Sequence, residues 1–331
     1  MKDVCNMIDS AISDKMLHLI LFPTEACNFR CVYCYETFEH AKMDAATIEG
    51  IKNFLNIRIP ELRSLHISWF GGEPLLAMNI IEDISTHILG ILNEYPKCMF
   101  QADITTNAYE LTLPIFERLC RFKVGLYQIS FDGPKDHHDK KRILANGKGT
   151  FDRIWENLLK LKCTDAQVSF LIRLHLDEEN LPRIHAFMEE YKETFGDDNR
   201  FRLFLRPLSR LGGKQDATLK TFNEKEGKRV VEELTRFTVG NKIQSKTFAD
   251  FPKICYASKL NSFVIRADGT ISKCTVALSQ KNNDLGQIRR NGTLRIHRKK
   301  LFKWARGIQS GNERELFCPM ENIQMSENHG N

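Results

Sequence analysis

Short apolar runs alternate with longer stretches in which apolar positions recur every three to four residues, and this alternation persists over the first two thirds of the chain. The runs Leu17 to Phe22, Leu65 to Phe70, Met99 to Thr105, Leu126 to Phe131, Gln167 to Leu174 and Phe201 to Arg206 read as strands. Helical periodicity covers Asp44 to Leu55, Leu75 to Glu94, Thr112 to Cys120, Thr150 to Leu161 and Glu179 to Thr194. Strands that each feed a crossover helix build a parallel sheet, and right-handed crossovers curl it. The expected fold class is therefore α/β, an open, partial TIM-like (β/α)6 barrel. Beyond Arg206 the pattern changes: Gly212-Gly213 marks a loop, Thr218 to Phe237 reads as a polar bridging helix, and Phe263 to Ser272 reads as a hairpin turning at Asp268-Gly269. The expected organisation is a barrel over residues 1–210, a bridging loop and helix over 211–250, and a small C-terminal domain over 251–331.

Composition changes this picture little. A chain of 331 residues is long for one hydrophobic core, which suits a large domain with an appendage. No apolar run approaches the length that spans a bilayer, and Met1 to Asp14 is polar and carries acids, unlike a secretory signal. These features imply a cytoplasmic chain with no membrane partner. In a reducing compartment its ten cysteines read as metal ligands rather than disulfides. The formal charge of +6 is mild. The basic runs Lys140-Lys141-Arg142 and His297-Arg298-Lys299-Lys300 read first as solvated faces, with an acidic peptide or RNA as the lesser reading, and no nucleic-acid partner is expected.

The chemistry concentrates at Cys27, Cys31 and Cys34. Spacings of four and three residues bring three thiolates to one side of a short loop, where they can hold three irons of a cubane cluster and leave the fourth open. Three packed thiols, or a zinc site completed by a fourth ligand nearby, are the bland alternatives. The loop follows the strand Leu17 to Phe22, closed by Pro23 and Thr24. That places it at a strand's C-terminal end, where α/β barrels keep their active sites.

The motif resembles the signature of the radical S-adenosylmethionine (radical SAM) superfamily, Cys-x3-Cys-x2-Cys with an aromatic before the last cysteine, here Tyr33. The resemblance implies a 4Fe-4S cluster whose open iron takes S-adenosylmethionine, and one-electron cleavage to methionine and a 5'-deoxyadenosyl radical. Gly71-Gly72-Glu73-Pro74, closing the second strand, resembles the family motif that holds the amino group of that cofactor. On its own it is a glycine turn beside an acid, in which glycine lets the backbone approach a ligand and a carboxylate suits an ammonium. Thr105-Thr106-Asn107 closes the third strand. Ser130-Phe131-Asp132-Gly133-Pro134 closes the fourth, followed by His137-His138-Asp139, Arg142 and Gly147-Lys148-Gly149-Thr150-Phe151. This order looks like the peptide-modifying branch of the superfamily and implies that Ser130 and Arg142 contact the carboxylate or ribose of the cofactor. Asn107 joins the expected cofactor set, with turn and cap chemistry as the competing reading of Asn107 and Asp132. His137 and His138 read as loop residues.

Cys255, Cys274 and Cys318, with Asp268 to Cys274 and the stretch Leu285 to Leu294, resemble the SPASM and twitch extensions of radical maturases. The resemblance implies one auxiliary iron–sulfur cluster on these three cysteines and makes a second unexpected, because the later run of closely spaced cysteines is missing. Cys5, Cys98, Cys120 and Cys163 fall on no ligand spacing and read as packed thiols. Sulfatase maturases carry an aspartate after the hairpin cysteine, whereas this chain has Thr275, which disfavours formylglycine formation.

The resulting expectation is a peptide maturase acting on a ribosomal precursor peptide and forming a side-chain cross-link, a carbon–carbon cyclophane ranked before a thioether. Asp132 and Arg206 are the candidate catalytic residues, and Arg202 with them lines the barrel. A flavodoxin- or ferredoxin-like electron donor is expected. With sixteen residues before the first strand, a leader peptide is expected to bind the barrel rim, the small domain or a separate protein. The alternatives are a radical enzyme acting on a small molecule or RNA, a sulfatase-maturase-like oxidation, and a non-catalytic iron–sulfur binding module.

Overall fold

The structure, a computed structural model, describes residues 2–250, 253–320 and 323. The Cys5 side chain lies outside the described residues, as do the ends of the expected small domain. In chain order the elements are α1 (Lys2–Ile12), β1 (Met16–Thr24), α2 (Ala45–Arg58), β2 (Ser64–Gly71), α3 (Met78–Glu94), β3 (Met99–Thr106), α4 (Leu113–Arg121), β4 (Val124–Phe131), α5 (Lys135–Lys141), α6 (Phe151–Lys162), β5 (Ser169–Leu176), α7 (Ile184–Phe195), β6 (Phe201–Pro207), α8 (Glu224–Gly240), β7 (Ser245–Lys246), β8 (Ser262–Ile265), β9 (Thr270–Ser272), β10 (Gly286–Ile288), β11 (Leu294–Ile296), α9 (Arg298–Trp304), α10 (Arg306–Ser310) and α11 (Glu313–Phe317). Each expected strand of the barrel is present to within two residues at either end. The α/β class is as expected, with parallel strands joined through helices.

The chain forms two compact units, one of Met1–Ala26, Phe38–Ala102 and Pro252–Asn331, the other of Cys27–Thr37 and Asp103–Phe251. In the first, β1 pairs in parallel with β2 and, on its other side, with β8, where His18 faces Ser262 and Leu21 faces Ile265. Strands β8, β9, β10 and β11 follow as antiparallel neighbours. Gly269 turns the β8–β9 hairpin at φ 81°, a left-handed conformation that glycine adopts without strain. Because β1 has partners on both edges and is covered on both faces, its sequence is nearly continuous apolar rather than alternating. Ile20 and Phe22 on one face pack with Val264 of β8.

Helix α3 and the 3-10 turn before it make a 21-residue apolar stretch, Pro74–Glu94, long enough to cross a bilayer by length and composition. The expectation that no such run exists is corrected here. Half of the stretch is buried inside the protein, and its covered positions Met78, Ile81, Ile84, Ser85, Ile88 and Leu92 fall on one helical stripe, the pattern of a core helix.

In the second unit β4, β5, β6 and β7 form a parallel ladder. One face of it carries Tyr127, Ile129, Phe131, Phe170, Ile172, Phe201 and Leu203, all buried. Aromatic side chains from the helices meet this face: Phe116 of α4 lies 5.2 Å from Tyr127, Phe151 of α6 lies 5.4 Å from Phe131, and Phe195 of α7 lies 4.7 Å from Phe201. Phe170 stands among Phe116, Tyr127 and Phe201. Phe170→Ala is expected to lower stability by about 3–5 kcal/mol, read as a fall in the denaturant midpoint with an unchanged m-value.

Candidate functional site

In the second unit the segment holding Cys27, Cys31 and Cys34 is fastened to the chain that follows α5. The Arg30 N–H donates to the Ile143 carbonyl at 2.7 Å, the Val32 N–H to the Lys141 carbonyl at 2.9 Å, and the Ala145 N–H to the Asn28 carbonyl at 2.8 Å. Asn107, just past β3, donates from Nδ2 to Asn28 Oδ1 at 2.8 Å while its Oδ1 accepts from the Tyr109 N–H. Its side chain thus makes the local turn contact of the competing reading and also holds the cysteine loop, a contact not foreseen.

His137 and His138 are not loop residues but buried positions of α5. The expectation missed this helix because all seven of its residues are charged or polar, in a run too short to show periodicity. Asp139 Oδ1 accepts the N–H groups of Thr150 and Phe151 at 2.7 and 2.9 Å, capping α6. A Cβ on Gly149 would stand 2.5 Å from that carboxylate, which explains the glycine. Thr150 Oγ1 donates to the Arg142 carbonyl and so accepts from His138 Nε2, leaving His138 Nδ1 to accept the Asp132 N–H. His138 is thereby fixed as a neutral imidazole.

Arg142 emerges from this framework with Nη1 2.9 Å from the Tyr33 hydroxyl and its guanidinium carbon 5.6 Å from the Phe29 ring centroid. The Tyr33 hydroxyl is 2.9 Å from Asp132 Oδ1, and His175 Nδ1 stands at the same distance from that oxygen. Arg142, Tyr33, Asp132 and His175 thus form one network, with Arg142 and Asp132 buried, in the unit that carries the cysteines. Ser130, half-buried near the end of β4, faces Arg173 of β5 in the ladder.

Burial opposes the charge on Asp132, but the hydrogen bond and charge of His175, with Arg142 and His138, overcome it and hold the carboxyl at about 2. Burial would lower Arg142, but Tyr33, Cys31 and Asp132 raise it. Burial pushes the Cys31 thiol up and the Cys34 thiol up to about 11. Such thiols stay protonated until a metal displaces the proton. Three sulfur donors on one loop, the Phe29 N–H 3.3 Å from Cys27 Sγ and a cation within electrostatic reach of Cys31 suit an anionic iron–sulfur cluster.

His138 has a measurable consequence. Burial drives its pKa from near 6.5 to about 3, so between those values the folded protein binds fewer protons than the unfolded chain. Acid therefore favours unfolding. Stability is expected to fall by about 1.4 kcal/mol per pH unit below 6.5 from this residue alone. Burial lowers His18 and His175 in the same direction. His138→Gln is expected to make the fall shallower between pH 6 and 4, checked by urea unfolding at several pH values.

In the first unit, Gly71-Gly72-Glu73-Pro74 closes β2 against the end of β1. The Glu73 N–H donates to the Ala26 carbonyl at 2.9 Å, and a Cβ on Gly72 would stand 2.4 Å from the Glu25 carbonyl oxygen and 2.5 Å from that of Ala26. The glycines thus admit the backbone that leads into the cysteine loop. Gly71, at φ 116°, is equally tight against the Thr24 carbonyl. Glu73 is fully buried, and its Oε1 accepts the Leu75 N–H at 3.1 Å, capping the 3-10 turn that begins with Pro74.

The same unit brings Cys255, Cys274 and Cys318 together. The Cys255 N–H donates to the Leu316 carbonyl at the end of α11, and Cys318 follows that helix directly. Asn283 Oδ1 accepts the N–H groups of Lys273 and Cys274 at 3.0 and 2.9 Å, and its Nδ2 donates to the Cys274 and Ala277 carbonyls. Burial raises Cys255 to about 11, with Cys274 and Cys318 adding to the rise, and burial and Cys318 raise Cys274 as well. The Val276 N–H points at Cys274 Sγ from 3.4 Å. Three half-buried cysteines in mutual electrostatic reach, one with a backbone donor to its sulfur, are a fitting donor set for a cluster.

Three residues escaped the sequence reading. His175 sits at the polar positions of β5, where Arg173 and His175 alternate with buried Ile172, Leu174 and Leu176; that alternation near a strand's C-terminal end was the available signal. Asn283 and Tyr256 carried none. The Tyr256 hydroxyl lies 2.8 Å from Thr275 Oγ1 and accepts the Thr275 N–H at 3.0 Å.

The Radical SAM superfamily model matches residues 21–189. The chain is 31% identical over 265 residues to an uncharacterized protein of Methanocaldococcus jannaschii, covering 79% of this chain and 85% of that one. It is 24% identical over 297 residues to the cysteine-type anaerobic sulfatase-maturating enzyme of Clostridium novyi, covering 78% and 74%. A 181-residue match at 27% identity to the radical SAM cyclopropyl synthase TigE of Paramaledivibacter caminithermalis covers 50% of this chain and 36% of that protein. Among solved structures, native anSMEcpe with bound AdoMet aligns with a TM-score of 0.67 at 20% identity over 86% and 80% of the two chains. Streptococcus suis SuiB bound to the precursor peptide SuiA aligns at 0.59 and 16% identity over 88% and 66%. These likenesses show the fold, a mixed α/β architecture with an open, partial barrel.

Proposed function

Because this chain belongs to the radical SAM superfamily, we propose that it is a peptide maturase that cross-links side chains of a ribosomal precursor peptide. The family implies S-adenosylmethionine and a 4Fe-4S cluster, which together supply a 5'-deoxyadenosyl radical that takes hydrogen from the substrate. Cys27, Cys31 and Cys34 hold the cluster. The cofactor-binding residues proposed are Tyr33, Asn107, Ser130 and Arg142 in the second unit and Gly71, Gly72, Glu73 and Pro74 in the first. Residues 1–210 act as the barrel, 211–250 as a bridge and 251–331 as the auxiliary-cluster domain.

Joining two carbons removes two hydrogens from the peptide. One leaves as an atom to the deoxyadenosyl group, and the other leaves as a proton and an electron. The convergence of Cys255, Cys274 and Cys318 carries the reading, because these residues would hold a cluster that could accept that electron. A carboxyl held at about 2 is a poor base near neutrality, so Asp132 acts by orienting His175 and Tyr33 rather than by taking the proton. Support for a peptide substrate comes from the names of the relatives, a sulfatase-maturating enzyme and a cyclopropyl synthase, and from SuiB, solved with its precursor peptide. A carbon–carbon cyclophane ranks before a thioether. A flavodoxin or ferredoxin supplies the reducing electron, and a separate protein is one means of presenting a leader.

The sulfatase-maturase reading is favoured by the Clostridium novyi relative. Against it, Thr275 stands where those enzymes carry an aspartate, and its hydroxyl is occupied with Tyr256. Anaerobic co-expression with short peptides encoded beside the gene, followed by mass spectrometry, tests the proposal. A peptide lighter by two hydrogens and resistant to fragmentation between the joined residues is expected. Conversion of a sulfatase-derived cysteine peptide to formylglycine, with no cross-linked product, would overturn it.

A further inference from the structure

The face of β4, β5 and β6 turned away from the helices carries Gln128 and Ser130, Leu171, Arg173 and His175, and Arg202, Phe204 and Arg206. None of these three strands contains an aspartate or glutamate. In the β5–β6 register Leu171 faces Arg202, Arg173 faces Phe204 and His175 faces Arg206, so Arg173 has an arginine diagonally on each side. The inward acid on the neighbouring part of β3 is Asp103, and Asp132 beyond β4 is already committed to Tyr33 and His175. Arg173 is braced from two directions: its Nη2 donates to Gln128 Oε1 at 3.1 Å, with Gln128 itself held by Thr105, and its guanidinium lies 5.6 Å from the Phe204 ring centroid. Arg173 and Arg206 also make further contacts within the protein. The Nε of Arg202 is buried with no hydrogen-bond partner among the described residues.

A guanidinium with an idle Nε presents the fork that takes a carboxylate through two parallel bonds. We propose that Arg202, within the Arg173–Arg206 row, binds the side-chain carboxylate of an aspartate or glutamate in the substrate peptide. This rests on the peptide-maturase reading and gives its substrate class. Arg202 is the second residue of β6 and Arg206 the sixth. At roughly 3.3 Å per residue the two stand about 13 Å apart along the strand. Arg206 lies beside His175 at the end nearer the Tyr33–Asp132 network. In an extended peptide the acidic residue is therefore about four positions from the residue modified.

The test uses anaerobically reconstituted enzyme with S-adenosylmethionine and a positional library of fluorescein-labelled twelve-residue peptides, read by fluorescence polarisation. Each position is occupied by aspartate, glutamate, asparagine or glutamine in turn. Tighter binding of acidic peptides at a defined position is expected, weakened about tenfold by Arg202→Gln and restored in part by Arg202→Lys, which keeps a charge but not the fork. Equal binding of the acid and amide series would overturn the inference while leaving a peptide substrate intact. Binding of succinate but of no peptide, again lost in Arg202→Gln, would keep the carboxylate site and overturn the peptide reading. Should Arg202→Gln not fold, the acid-against-amide comparison in the parent protein decides.

Discussion

Replacing Cys27, Cys31 and Cys34 together by alanine is expected to lower 5'-deoxyadenosine formation by at least about a thousandfold, equivalent to roughly 4 kcal/mol of barrier. Arg142, Tyr33, Asp132 and His175 remain in place around the altered loop, since their contacts do not run through the sulfurs. Loss of activity in this variant therefore reports the absent ligands rather than a collapsed site. The check is anaerobic chromatography of 5'-deoxyadenosine with dithionite as reductant, together with an iron count. The variant should lose the iron of one cluster and keep that of another. Deoxyadenosine at the parent's rate would refute the assignment of these cysteines, and a variant with no iron at all would refute a second cluster.

Alanine at Cys255, Cys274 or Cys318 is expected to separate two activities. Peptide product should fall about a hundredfold, near 2.7 kcal/mol of barrier, whereas cofactor cleavage should stay within a fewfold of the parent. The asymmetry follows from the roles proposed: the first cysteine set starts the reaction, and the second disposes of the electron left after bond formation. The substitutions are tolerable to the fold because Asn283 holds the Lys273–Ala277 backbone through its own amide and Ser258 Oγ bonds the Glu315 and Leu316 carbonyls. Equal loss of both activities would show instead that these cysteines shape the first site, and unchanged product would show that they are packed thiols.

Much of this was legible in the chain because the signals were local. A strand such as Phe201–Pro207 announces itself through its own residues, and three cysteines within eight positions need no partner to be noticed. What escaped depended on distant contacts. Nothing in Ser262–Ile265 says that β1 is its partner, since an apolar hairpin strand fits many edges. His175 gained meaning only when Asp132 and Tyr33 arrived beside it from other elements. Gly72 was read as backbone that approaches a ligand, and its missing Cβ also makes room for the Glu25 and Ala26 carbonyls, neighbours that the motif does not name.

The pairing of β8 on β1 sets an order of events during synthesis. His18 meets Ser262 across a sequence separation of 244. Until the last quarter of the chain has left the ribosome, the edge of β1 that β8 will cover stays open, a template for pairing with other chains. The nascent cysteine loop emerges long before that edge is closed. A nonsense mutation that removes β8 is expected to yield an aggregate rather than a smaller folded protein.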